Sequence, residues 1–249
     1  MDLLHYRVAG SGEAVVFLHG FMEDTTFWDD LITVLLHKQC ILIDLHGHGN
    51  SFFNPALKPS MAVMAQQVKD VLDHLGIAHY HVIGHSLGGY VGCELLKTDE
   101  RVEHLTLLHS HPWPDPETKK QDRNRVIELV KTKAAQFIRE AIPNLFAFPD
   151  EHREAIQRYC AIAERMDPAA IGWVSAAMRD RESSVDILSV KATSVSIIQG
   201  QLDPLIPNIQ LHTFAGEHGI SFYEIPRCGH MGQEEAPGTV KELLKVVIG

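Results

Sequence analysis

Short apolar runs recur along the chain, each followed by a turn and then by a helical pattern. The runs cover residues 14–18, 40–45, 80–83, 104–108, 195–198 and 220–225. They are rich in Val, Ile and Leu and nearly continuous rather than alternating, which is the pattern of parallel strands covered on both faces. A further outer strand is predicted over 3–8, leading through Gly10-Ser11-Gly12 into the next run. Residues 27–36 place Phe27, Trp28, Leu31, Ile32 and Leu35 at helical spacing, and 61–75 do the same with Met64, Val68, Val71, Leu72 and Leu75. Residues 87–96 and 240–247 behave likewise. Strands alternating with helices predict an α/β fold, in which a parallel sheet carries helices on both faces.

The alternation stops after Leu108. From 112 to 182 there is no strand candidate, only helices over roughly 117–133, 135–145, 151–166 and 169–180, with Pro112, Pro114 and Pro116 marking the entry. This segment holds 12 acidic and 12 basic residues, a net charge of 12 − 12 = 0. The remainder holds 32 − 12 = 20 acidic and 22 − 12 = 10 basic residues, and so the whole charge of −10. A charge-dense, all-helical insertion reads as a helical cap. The chain then divides into a core of 1–111 and 183–249 and a cap of 112–182.

The strongest chemical signal is Gly84-His85-Ser86-Leu87-Gly88-Gly89, which follows the run at 80–83 and opens a helix. In that setting G-x-S-x-G is a tight strand–turn–helix that exposes a Ser hydroxyl on a strained backbone. Side chains at Gly84 or Gly88 would crowd the turn, and the helix behind Ser86 points N–H groups at developing negative charge. A hydroxyl needs a base to become a nucleophile. With 16 His in the chain, position must choose it: His230, in Cys228-Gly229-His230-Met231, follows the last strand. His85 adjoins Ser86, but neighbours on such a turn point apart. A carboxylate must fix the imidazole tautomer, and Asp203, in Gly200-Gln201-Leu202-Asp203-Pro204, follows the run at 195–198. The order Ser86, Asp203, His230 is the one expected on this sheet type. The plain alternatives are a turn-forming Asp before Pro and a loop histidine. For an oxyanion the candidate donors are the Leu87 N–H and, from the loop His19-Gly20-Phe21-Met22, the Phe21 N–H, with His19 bracing the loop.

The chain resembles the α/β-hydrolase family over nearly its whole length. The matching segments are Val16-Phe17-Leu18-His19-Gly20-Phe21, Asp44-Leu45-His46-Gly47-His48-Gly49-Asn50-Ser51, Gly84-His85-Ser86-Leu87-Gly88-Gly89, Gly200-Gln201-Leu202-Asp203-Pro204 and Cys228-Gly229-His230-Met231. It departs from the family at His46, where Pro or Arg is common, and at Thr193-Ser194, where a Pro often precedes the strand. The resemblance implies a mostly parallel eight-stranded sheet, an all-helical cap inserted after strand six, and a Ser–His–Asp triad of Ser86, His230 and Asp203. The implied activity is hydrolysis of a small or medium carboxylic ester through an acyl-enzyme. Ser at the elbow argues against the relatives that use an Asp nucleophile. Two alternatives stay open: C–C bond hydrolysis or an elimination like that of the menaquinone-pathway synthase, and a non-catalytic ligand-binding protein on the same fold. His109 and His111 flank Ser110 where the sixth strand enters the cap, a point near the pocket in relatives. Trp113 and Trp173 are the other pocket candidates, although most aromatic residues of a cap pack it onto the sheet.

Composition narrows the partners. At 45% apolar and 22% charged residues the chain is globular, and a net charge of −10 disfavours nucleic acid and anionic membranes. No stretch approaches the length of a membrane span, and 1–12 shows no secretory signal. Cys40, Cys93, Cys160 and Cys228 form no C-x-x-C pair, which fits a cytoplasmic location. The His surplus invites a metal reading through the i, i+2 pairs His46/His48, His79/His81 and His109/His111. No nearby acidic spacing completes a ligand set, so no metal and no cofactor are expected. The expected partner is a small-molecule substrate; oligomeric state is not encoded in these patterns.

Overall fold

Successive residues of a strand face opposite sides of a sheet, and in Ala14–Leu18 both sides are apolar. Ala14, Val16 and Leu18 pack into one hydrophobic cluster and Val15 and Phe17 into another. Ile41 and Ile43 likewise separate from Cys40 and Leu42. Double-sided cover of this kind makes the strand sequences continuous rather than alternating. The computed structural model describes residues 3–249. Its strands are β1 (Tyr6–Ala9), β2 (Ala14–Leu18), β3 (Gln39–Ile43), β4 (Tyr80–His85), β5 (Val102–Leu108), β6 (Val195–Gly200) and β7 (Ser221–Ile225). They form one sheet in the order β1-β3-β2-β4-β5-β6-β7, with only the β1–β3 pair antiparallel.

Seven strands, not the eight implied by the family resemblance, are present among the described residues. Gly10 and Gly12, at φ +73° and +129°, turn the chain directly from β1 into β2. β1 takes the free edge of β3, and no further strand pairs outside it. The strand that leads into the helical insertion is therefore the fifth, β5, and not the sixth.

The helices are α1 (Met61–His74), α2 (Leu87–Thr98), α3 (Glu117–Ala141), α4 (Arg153–Ala163), α5 (Pro168–Arg179), α6 (Val185–Val190), α7 (Asn208–His218), α8 (Gly232–Glu235) and α9 (Pro237–Ile248). Ser60 caps α1 by accepting from the Val63 N–H at 3.1 Å, and Asp167 caps α5 through Ala169 N–H at 2.8 Å. One face of the sheet is covered by α1, α2, α6 and α7, the other by α9 and two 3₁₀ turns. Those turns, Thr25–Trp28 and Leu31–Val34, replace the α-helix expected over 27–36. The Asp24 side chain accepts from Thr26 N–H, and bonds such as Asp29 N–H to the Thr26 carbonyl and Thr33 N–H to the Asp30 carbonyl close i to i+3 rings. The β-branched Thr25, Thr26, Ile32, Thr33 and Val34 favour stopping there. Phe27, Trp28, Leu31 and Leu35 are nonetheless buried.

Between β5 and β6 the chain forms helices joined by short loops and no strand. Lys133, at φ −137°, breaks α3 where the sequence reading ends one helix and starts the next. α3 packs along α5, and the Ser184 N–H donates to the Pro112 carbonyl at 2.8 Å, closing the neck of the insertion. Among the described residues no helix is long and apolar enough to cross a membrane.

Candidate active site

The sheet order reverses between β2, whose neighbours are β3 and β4, and the strands that follow β4. Ligands of open α/β sheets bind beside such a reversal, at the carboxyl ends of the strands. Leu18 pairs with Gly84 there, so the loop after β2 and the elbow after β4 meet. Ser86 sits at φ 49°, ψ −110° between β4 and α2. A Cβ at Gly84 would collide with the Gly88 carbonyl, and one at Gly88 with the Leu18 carbonyl. Gly88→Ala is therefore expected to cost about 3 kcal/mol, the upper range for overpacking, and to lower Tm by about 6–12 °C in a chain of this size. Scanning calorimetry measures it, and an unchanged Tm would mean that α2 can slide away from β2.

Ser86, Asp203 and His230 converge. Ser86 Oγ lies 2.9 Å from His230 Nε2, and His230 Nδ1 lies 2.8 Å from Asp203 Oδ2. A carboxylate only accepts, so Nδ1 carries hydrogen and Nε2 is left to accept from the Ser86 hydroxyl. Asp203 is held by four groups. Its Oδ1 accepts from Leu205 N–H at 2.8 Å and Ile206 N–H at 3.1 Å. Its Oδ2 faces His230 and the Gln199 amide at 2.9 Å, with His109 Nδ1 at 3.6 Å. Burial alone would raise the Asp203 pKa; the His230 charge and these bonds outweigh it and hold the carboxyl far below its ordinary range. For His230 burial pulls the other way, and Asp203 again prevails, leaving the imidazole pKa raised.

His109 stands behind this line, outside the cavity. Gly200 N–H donates to its Nδ1 at 3.2 Å, so the ring hydrogen lies on Nε2, which has no partner. Burial pushes its pKa down to about 4 despite Asp203, so it is a neutral ring and not an ion-pair partner. Together His109, Asp203 and His230 are the one cluster of metal-ligand type among the described residues. His230 Nδ1 faces Asp203 Oδ2, and His109 Nδ1 accepts from Gly200 N–H.

A cavity of about 270 Å³ opens at Ser86 and His230 and is also lined by Phe21, Glu23, Tyr90, His111, Lys119 and Leu145 among others. Among the described residues the Phe21 N–H has no acceptor, nor has the Leu87 N–H in the first turn of α2. Of the four pocket candidates, His111 lines the cavity and His109, Trp113 and Trp173 do not. Trp113 stacks on His111 at 5.3 Å and packs against Phe214. Trp173 donates to the Leu57 carbonyl at 2.7 Å and packs on His46 at 4.7 Å. Both indoles are consumed by packing the insertion onto the sheet.

Several other histidines are braces. The His19 ring accepts from Leu45 N–H at 3.0 Å and donates to the Gly20 carbonyl at 2.8 Å. His48 accepts from Met22 N–H at 3.2 Å and donates to the His46 carbonyl at 3.0 Å. Full burial, with His19 nearby, pushes the His48 pKa down to about 3. The positive φ values of Met22 (65°), Ser86 (49°) and His109 (47°) show how much backbone strain gathers around the site.

Sequence reasoning did not single out Glu23. Its buried carboxylate accepts from Gly20 N–H at 2.6 Å and from the His85 ring at 3.0 Å, while the other ring nitrogen of His85 meets the His230 carbonyl at 3.0 Å. The oxyanion-side loop is thereby tied to the His230 loop. The carboxylate three residues after Gly20 was the available signal.

Known proteins agree with this architecture. A family described as the alpha/beta hydrolase fold matches residues 13–237. The chain superposes on a thermophilic esterase from Thermogutta terrifontis, solved with malate bound, at a TM-score of 0.91 and 26% identity, covering 98% of this chain and 92% of that one. It is 28% identical over 208 residues to a putative carbamate hydrolase, RutD, from Acinetobacter baylyi, covering 79% of this chain and 77% of the relative. It is 26% identical to the dihydrolipoyllysine-residue acetyltransferase component of the acetoin cleaving system of Cupriavidus necator, covering 98% of this chain but spanning only 65% of that relative's length. The sheet order, the strained serine elbow and a match across most of the chain together make it a member of the alpha/beta hydrolase fold family.

Proposed function

We propose that the chain is a serine hydrolase acting on small or medium carboxylic esters, with Ser86 as nucleophile, His230 as base and Asp203 as the residue that orients it. The reading is carried by the hydrogen-bonded line Ser86–His230–Asp203 beside a cavity that both Ser86 and His230 line. His230 Nε2 takes the Ser86 proton as Oγ attacks the carbonyl carbon. The Phe21 and Leu87 N–H groups receive the oxyanion. The imidazolium, stabilised by Asp203, then protonates the leaving alcohol, and water repeats the cycle on the acyl-enzyme. Residues 112–182 act as the cap that shapes the substrate pocket, and a small molecule is the partner. Four unpaired thiols, three of them buried, support the cytoplasmic location within this reading.

Labelling of Ser86 by a fluorophosphonate, followed by a chain-length scan of p-nitrophenyl esters, tests the proposal. Folded protein that neither labels nor turns over any ester would sink it and leave the ligand-binding alternative. Labelling without ester turnover would favour C–C bond chemistry.

The pH dependence carries a sign. His230 must be neutral to act as base, and its pKa is raised. The acid limb of kcat/KM is therefore expected at a midpoint above about 6.5, the ordinary imidazole value, with activity lost as pH falls through it. A midpoint below that value would mean that Asp203 does not hold His230 as the geometry suggests.

A further inference from the structure

The charged groups on the cavity wall divide into those already matched and those not. Asp122 is paired with Arg125 at 2.8 Å. Glu23 is engaged by Gly20 N–H and His85. Asp115 is flanked by two guanidinium groups, Arg123 Nε at 3.1 Å and the buried Arg181 at 2.7 Å. Arg123 uses only Nε in that contact, so its terminal nitrogens have no partner among the described residues. Lys119, in the first turn of α3, lines the same cavity and makes no hydrogen bond or ion pair among the described residues. The unmatched charge on this wall is therefore positive, in a chain whose net charge is −10.

Tyr90 adds a neutral polar group. Its hydroxyl meets His111 Nε2 at 3.1 Å, which Arg181 also approaches at 3.5 Å, while Trp113 N–H donates to His111 Nδ1 at 3.2 Å. Tyr90 lines the cavity with Lys119, Arg123 and Ser86. The cation of Arg181, 4.1 Å above the Tyr90 ring, fixes that ring in place.

We infer that the ester substrate carries a carboxylate, received by Lys119 and Arg123 while its ester carbonyl sits at Ser86. The inference rests on the serine hydrolase reading for the ester but not for the carboxylate. Its physical basis is that a half-buried ammonium on the cavity wall has no carboxylate within ion-pair distance among the described residues, and a substrate carboxylate supplies one through charge-assisted hydrogen bonds. Cavity walls that exclude water strengthen the attraction over its value in bulk solvent. A half-ester of a short dicarboxylic acid has the two required ends.

The test compares kcat/KM for p-nitrophenyl hemisuccinate, which carries the carboxylate on the acyl side, with that for neutral p-nitrophenyl butyrate. Acetoxyacetate against ethyl acetate repeats the comparison with the carboxylate on the alcohol side. The wild-type protein should prefer the charged ester in one of the two pairs. Lys119→Met should cut that preference about tenfold or more, the scale of one charge-assisted bond, Lys119→Arg should retain most of it, and Lys119→Glu should reverse it. No preference in either pair, or one unmoved by both Lys119→Met and Lys119→Glu, overturns the inference. If no ester is cleaved and Ser86 does not label, the serine hydrolase reading fails. Calorimetric titration of the same proteins with monomethyl succinate and dimethyl succinate then still decides: tighter binding of the monoester that is lost in Lys119→Met supports the carboxylate site, and equal binding refutes it.

Discussion

Ser86→Ala is expected to lower kcat for ester hydrolysis by about 10⁶-fold, the scale on which a triad nucleophile acts, while leaving the fold intact. The substitution deletes the one atom that His230 Nε2 can deprotonate toward substrate. Asp203, the Phe21 and Leu87 amides and the cavity wall all remain. The backbone at residue 86 is fixed by Ser86 N–H to the Leu108 carbonyl at 3.0 Å and by Ser110 Oγ to the Ser86 carbonyl at 2.8 Å, none of which involves the side chain. Stopped assays with a good leaving group measure the rate, and calorimetry the stability. Ala inherits the positive φ, so Tm should hardly move. Ser86→Gly relieves the strain, worth about 1 kcal/mol, and should raise Tm by about 2–4 °C. Retention of more than a few per cent of activity in Ser86→Ala would remove Ser86 from the mechanism.

Asp203→Asn should cost about 10⁴-fold in kcat through the wrong imidazole tautomer. The surroundings of Asp203 dictate which way the new amide points. Two backbone N–H groups, of Leu205 and Ile206, fix the carbonyl at the Oδ1 position. The NH₂ then falls where Oδ2 faced His230 and Gln199. An NH₂ donates, so His230 Nδ1 must accept and its hydrogen moves to Nε2, where it faces Ser86 and blocks proton transfer. The raised His230 pKa should fall as the Asp203 charge is lost, so the acid limb of the pH profile should move down. Steady-state kinetics across pH measures both effects. A loss of only a few-fold would mean that another carboxylate, such as the buried Glu23 whose charge also acts on His230, serves the imidazole.

The meeting of Ser86, Asp203 and His230 and the two covered faces of the sheet were legible because each leaves a local trace. A buried strand needs an unbroken apolar run, as in Ala14–Leu18, and the elbow needs glycines where Gly84 and Gly88 stand. The helical break at Lys133 was legible too. The segment after β2 misled because 3₁₀ turns and an α-helix bury the same apolar spacing. α7 was missed because only Leu211, Phe214 and Ala215 of its residues are buried, while Ile209 faces solvent. Trp113, Trp173 and Lys119 show what periodicity cannot supply. Whether an insertion residue packs inward, hydrogen-bonds a carbonyl or faces the cavity depends on how α3 lies against α5, a contact between segments far apart in sequence.

The bond from Ser184 to the Pro112 carbonyl gives the insertion a single doorway. From the sheet's side, everything between those two residues is one closed loop. The entropy of closing a loop grows only with the logarithm of its length, so the helices beyond the doorway can lengthen, shorten or be exchanged with little strain on β5 and β6. Lys119, Arg123 and the kink of α3 lie beyond it; Ser86, Asp203 and His230 do not. Descent can thus rewrite what such a chain accepts while inheriting unchanged the groups that would act on it.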